Sequence, residues 1–121
     1  MRVSGTVIRG DGRGRLLGFP TANISPESVH ELEAGVYAGY ATTEDNRIHL
    51  AAIHIGPRPT FEGAKPTTEA HLLDFDEMIY DTNLTLDIKH KLRDIEKFDT
   101  IEALQEAIQN DCTKVRSTLT L

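Results

Sequence analysis

GVYAGYATTEDNRIHLAAIHIG, residues 35–56, sets two β-prone runs on either side of a short polar turn. The runs beginning at Gly35 and Arg47 carry β-branched and aromatic residues, and TEDNR between them supplies the Asp and Asn that favour tight reversals. The pair reads as an antiparallel hairpin. Working outward, RVSGTVIRG alternates Val3, Gly5 and Val7 against Ser4, Thr6 and Ile8, a strand pattern. TTEAHLLDF (67–75) and NLTLDIKHKLR (83–93) are strands as well; the second is expected to carry Leu84, Leu86, Ile88, His90 and Leu92 on one face.

The C-terminal stretch changes period. Ile101, Leu104, Ile108, Val115 and Leu119 recur at helical intervals, Asp99 with Glu102 makes an acidic variant of a capping box, and Phe98 offers the apolar half of a staple. Short strands followed by one terminal helix predict a mainly β chain: a small antiparallel barrel, closed so that no edge is exposed, with the helix packed outside. A sandwich of the same strands is the alternative.

At 121 residues the chain has room for one core, so residues 1–121 are expected to form a single domain. No apolar run approaches the roughly 18 residues that cross a bilayer, and the N-terminus lacks a secretory signal pattern. Cys112, the one cysteine, excludes an internal disulfide and suits a reducing cytoplasm. A net charge of −6 opposes nonspecific attraction to nucleic acid. Arg9, Arg13 and Arg15 reverse that sign locally, where an anionic small ligand could sit.

That basic patch lies in GDGRGRLLGFPTANIS (10–25). Gly10, Gly12, Gly14 and Gly18 could present backbone N–H groups to phosphate oxygens, although the spacing matches neither a P-loop nor a dinucleotide fingerprint, and a plain hairpin loop fits too. Pro20 restricts Phe19 to extended geometry. Thr21 and Asn23 then point the same way, two hard oxygen donors of the kind Mg²⁺ uses beside nucleotide phosphates. A side-chain-to-backbone turn explains them equally well. In HIGPRPTFEG (54–63) a strand ends in a rigid turn with Arg58, Thr60 and Phe61. TEAHLLDF puts Glu69, His71 and Leu73 on one strand face; a carboxylate there is a functional hint or a solvent-facing rim residue. His49, His54, His71 and His90 lack the spacing of a zinc site, and DFDEM and TEDN read as solvated turns.

The series GRGRLLGFPTAN, GVYAGYA, IGPRPTF, EAHLLDFD and LRDIEKFDTIEAL resembles riboflavin kinase, in particular the C-terminal module of bacterial bifunctional FAD synthetases. The resemblance runs from near Val3 to the terminal helix. It implies a six-stranded antiparallel Greek-key barrel with a C-terminal α-helix, and transfer of the γ-phosphoryl of ATP to the ribityl 5′-hydroxyl of riboflavin, giving FMN and ADP. By the same resemblance Gly12, Arg13, Gly14 and Gly18 cover the nucleotide phosphates, Pro20 belongs to the nucleotide-binding set, Thr21 and Asn23 bind Mg²⁺ with the phosphates, and Glu69 is the base. Arg93, Glu96 and Phe98 border the flavin on a flap, and His71 is expected to pack or hydrogen-bond locally.

Two departures from the family pattern stand out. His54 replaces a common asparagine, so nucleotide or flavin affinity is expected to differ; Asp81 replaces a glycine in a turn. No adenylyltransferase motif is present, so an adenylyltransferase module is expected only as a partner, and the chain is not expected to make FAD alone. The rival readings are a noncatalytic flavin-binding sensor and a ligand-free interaction barrel. Joint presence of Thr21, Asn23 and Glu69 argues against the sensor, since binding flavin alone needs no metal-phosphate pair, and the co-occurrence of the five motifs argues against the ligand-free barrel.

Overall fold

The five strands expected from alternation all form, and one more joins them. The computed structural model describes residues 1–8, 18–25, 32–56 and 67–121. In chain order these carry β1 (Arg2–Ile8), β2 (Ala22–Ile24), β3 (Gly35–Thr42), β4 (Ile48–Ile55), β5 (Thr68–Leu72), β6 (Asn83–Arg93) and α1 (Ile101–Thr118). The added strand is β2, whose three residues are too few for alternation to reveal. It is held by its neighbours, with Val7 opposite Ile24 on one side and Glu69 opposite Asn23 on the other.

All pairings are antiparallel and the sheet closes in the order β1-β2-β5-β4-β3-β6, so the barrel stands and the sandwich does not. β3, β4 and β5 follow one another and β6 returns beside β3, which is a Greek key. Alternation sends Val3, Val7, Ile53, Ile55, Leu84, Leu86 and Ile88 into the barrel. Each such side chain contributes about 1.5–3 kcal/mol by leaving water. A second apolar layer lies outside, where Ala38, Leu50, Ala52 and Leu73 pack with Cys112 and Val115 of α1 and with Leu119 just beyond it. β3 is therefore buried on both faces. Gly39 is required there, because a Cβ would stand 2.3 Å from the Asp87 carbonyl oxygen.

Three local expectations are corrected. The register between β3 and β6 shifts twice, so that Ile88 pairs with Gly39 but His90 with Ala38, and Lys91 with Tyr37 but Arg93 with Val36. The first shift takes His90 and Leu92 off the interior face of Leu84, Leu86 and Ile88; His90 is exposed and Leu92 joins the outer layer. The helix cap is Thr100 and not Asp99, because the Thr100 hydroxyl accepts from the Ala103 N–H at 3.0 Å, one residue later than the box predicts. Glu102 still lies in the first turn, facing the positive end of the helix dipole. Ile101 is 62% exposed, since the helix settles onto the barrel only further along.

Candidate active site

The barrel register assembles one row of side chains. Arg93 on β6 is opposite Val36 on β3, Val36 opposite His54 on β4, His54 opposite Glu69 on β5, and Glu69 opposite Asn23 on β2. Cross-strand partners share a face. Their chain neighbours Ile53, Ile55, Ala70, Ala22 and Ile24 fill the interior, so this row looks outward. Ala38, Ala52 and His71 form the next row toward the helix.

Between these rows and α1 opens a cleft of about 580 Å³. Thr21, His54 and Glu69 stand on its strand side, Val36 and Ala52 form an apolar floor, and Arg93, Glu96 and Phe98 border it beside Leu104, Ile108 and Asp111. A smaller cavity of about 250 Å³ lies between Pro20, Thr21 and the turn containing Phe75, Met78 and Tyr80. Thr21 belongs to both walls.

The structure thus brings Thr21, Glu69, Arg93, Glu96 and Phe98 around one cleft, with Asn23 beside Glu69 in register. Pro20 borders only the smaller cavity, and Gly18 is exposed with φ 86°, a left-handed geometry that glycine adopts freely. Gly12, Arg13 and Gly14 lie outside the described residues, as do Arg9, Arg15, Arg58, Thr60 and Phe61.

His71 is used locally: its Nδ1 is 2.8 Å from the Pro20 carbonyl oxygen and its ring meets Phe19 edge-on at 5.5 Å. The carbonyl only accepts, so Nδ1 carries the proton. This bond ties the segment before Thr21 to β5. His54 Nδ1, by contrast, is 3.9 Å from Glu69 Oε2, too far for a hydrogen bond. Glu69 is half-buried, its side chain 33% exposed.

Arg93 is pinned. Its Nε and Nη2 each donate to an Asp111 carboxylate oxygen at 2.8 Å, and Nη1 donates to the Asp94 carbonyl at 3.1 Å. The Asp111 carboxylate pushes the Arg93 guanidinium above even its ordinary high pKa. Phe98 lies 5.7 Å from that guanidinium. The guanidinium is therefore framework, holding the cleft wall. Asp111 was missed by sequence reasoning, yet a signal existed: it falls on the stripe of Leu104, Ile108 and Val115, where a carboxylate requires a partner.

The donor set fits Mg²⁺ held with phosphates. Thr21 and Asn23 are two apart on the outward face of an extended segment, and the Glu69 carboxylate is the cross-strand neighbour of Asn23, all hard oxygen chemistry. Among the described residues no three His, Cys, Asp or Glu side chains converge on a point.

Comparison with known proteins agrees with this fold. The Flavokinase family model, described as riboflavin kinase, matches residues 1–119. The chain is 38% identical over 114 residues to the RNA-binding riboflavin kinase RibR of Bacillus subtilis, covering 93% of this chain and 49% of that protein. It is 36% identical over 123 residues to human riboflavin kinase, covering 97% and 79%. The crystal structure of riboflavin kinase from Trypanosoma brucei has the same fold, with a TM-score of 0.76 at 24% identity over 98% of this chain and 78% of that one. The chain spans about half the length of the first relative and 36% of a bifunctional riboflavin kinase/FMN adenylyltransferase from Haemophilus influenzae.

Proposed function

The chain belongs to the riboflavin kinase family, and from that premise we propose that residues 1–121 form a riboflavin kinase domain that transfers the γ-phosphoryl of ATP to the ribityl 5′-hydroxyl of riboflavin. The observation that carries this reading is that Thr21 lines both cavities, while Glu69 lines the larger one with Asn23 as its cross-strand neighbour. A two-substrate transfer needs two binding spaces that meet where the group moves. The larger cleft, bordered by Arg93, Glu96 and Phe98, suits the flavin; the smaller, bordered by Pro20, suits the nucleotide, whose phosphates then lie by Thr21.

In the proposed step the ribityl oxygen forms a bond to the γ-phosphorus, the bond to the bridging oxygen of ADP breaks, and the hydroxyl proton passes to Glu69. Phosphoryl transfer leaves the protein chiefly to position the reactants and neutralise charge. Val36 and Ala52 give a bound acceptor an apolar floor, and α1 forms the opposite wall. Mg²⁺, held by Thr21 and Asn23, would supply charge neutralisation on the phosphate oxygens. Gly12, Arg13, Gly14 and Gly18 are proposed to enclose those phosphates by backbone contacts.

The need for ATP suits a cytoplasmic setting; among the described residues no helix is long and apolar enough to cross a membrane. An adenylyltransferase unit, as the bifunctional relative's name describes, is the proposed partner for the FMN released. The test is incubation with riboflavin, ATP and Mg²⁺ and separation of the flavins. FMN appearing only with all three supports the kinase. Riboflavin bound without FMN overturns it in favour of a flavin-binding module.

A further inference from the structure

His54 is the one histidine in the cleft whose facing nitrogen has no assigned work. Its backbone is held tightly, between Ile53 and Ile55, which are 0% and 2% exposed, and ahead of Gly56, where a Cβ would stand 2.4 Å from Thr67 Oγ1. The imidazole is 40% exposed, yet Nδ1 is buried and makes no hydrogen bond among the described residues. A buried donor left unpaired is unfavourable, and at functional sites such groups call for an explanation. The acceptor in front of it is Glu69 Oε2, at 3.9 Å and in direct cross-strand register. His71, one residue beyond Ala70, has already committed its own Nδ1 to the Pro20 carbonyl.

Resting on the reading of Glu69 as base, we propose that His54 is a positioning residue for the Glu69 carboxylate. Nδ1–H donates to Oε2, which fixes the carboxylate plane and turns Oε1 toward the acceptor hydroxyl. The gap of 3.9 Å closes to hydrogen-bond length by a small side-chain shift once substrate fills the cleft; such bonds are commonly long in empty sites. His54 therefore acts on the reaction through Glu69 and sets turnover more than affinity.

Asparagine tests this directly, because its amide nitrogen is the same number of bonds from Cα as histidine Nδ1. Leucine fills similar volume without a donor. Steady-state kinetics of His54→Asn, His54→Leu and His54→Ala, all checked for an unchanged thermal midpoint, separate the alternatives. Expected are a kcat within about threefold of wild type for His54→Asn and a loss of about 10–100-fold for the other two, with KM for riboflavin within about twofold, because only part of the base's contribution depends on its orientation. In a Glu69→Gln background His54→Leu should add nothing, since the group it positions is gone. Should His54→Ala fail to fold, His54→Leu and His54→Asn decide. Wild-type kcat in His54→Leu, a raised KM at constant kcat, an equal loss in His54→Asn, or multiplicative losses with Glu69→Gln each overturn the proposal. No FMN from the wild-type chain overturns the kinase reading and this inference together, whereas an active wild type with an equally active His54→Leu overturns this inference alone.

Discussion

Glu69 and Asp81 show two ways in which a single residue's neighbours set its meaning. Glu69 sits on a strand whose other face is apolar core, beside Asn23 and His54, in a position where a carboxylate is half-buried and still open to a ligand. Removing its basicity while keeping its shape, in Glu69→Gln, should lower turnover by about 10²–10⁴-fold and leave riboflavin affinity within a few-fold. Turnover kinetics paired with a flavin-fluorescence titration check this, and unchanged turnover would remove Glu69 from the mechanism. Asp81 stands where the family resemblance leads one to expect glycine. It has φ 66°, and its N–H donates to the Val7 carbonyl at 2.9 Å, so the left-handed turn is kept and the backbone carries the strain. Aspartate tolerates this conformation and alanine does not. Asp81→Gly should therefore be more stable than Asp81→Ala by about 1 kcal/mol in urea unfolding; equal stabilities would show that the turn relaxes.

At the scale of elements, the cleft exists because α1 is held off the barrel at one end and clamped at the other. The clamp near the site is Arg93 to Asp111, a bidentate pair with side chains 18% and 5% exposed. Asp111→Ala leaves a largely buried guanidinium unpaired and should cost about 3–5 kcal/mol by urea unfolding, while replacing both partners with apolar residues should cost less. A double variant as unstable as the single one would show that the pair itself, and not the orphaned charge, is what matters. These element joints are also where sequence patterns run out. β2 is legible as extended chain from Pro20 but not as a strand, because its pairing partners are distant in sequence. The shifts in β6 are invisible in NLTLDIKHKLR, since they answer to the packing of β3 against α1; yet they are what aim Arg93 at the helix. The cap moves to Thr100 because a hydroxyl and a carboxylate compete at adjacent positions, and the backbone path chooses.

For the whole molecule, exposed ion pairs add side-chain links between elements that the ladder and the core already hold. Arg2 bonds Asp87 between β1 and β6, Arg47 bonds Glu77 beyond β5, and Arg116 of α1 bonds Asp74 at the end of β5. The Thr43 hydroxyl holds the Asp45 carboxyl below its usual range, and hydrogen bonds from Arg116, Arg47, Arg2 and Lys91 do the same for Asp74, Glu77, Asp87 and Asp94. A carboxyl whose folded pKa is depressed contributes stability above the unfolded pKa and loses it as pH falls through the folded value. Stability should thus be level from about pH 7 to 5 and fall below about pH 4, with salt weakening the dependence because the pairs face water. A urea midpoint that rises with acid would contradict the assignment. The strand alternation, the helical stripe and the glycine-rich motif are local properties of the chain, so sequence alone determined the β class, five strands, the terminal helix and the family. Which strands meet is a long-range matter. Only closure of the barrel in the order β1-β2-β5-β4-β3-β6 sets Asn23, Glu69 and His54 side by side and leaves α1 to wall the cleft, because register transmits position across strands that are far apart in sequence.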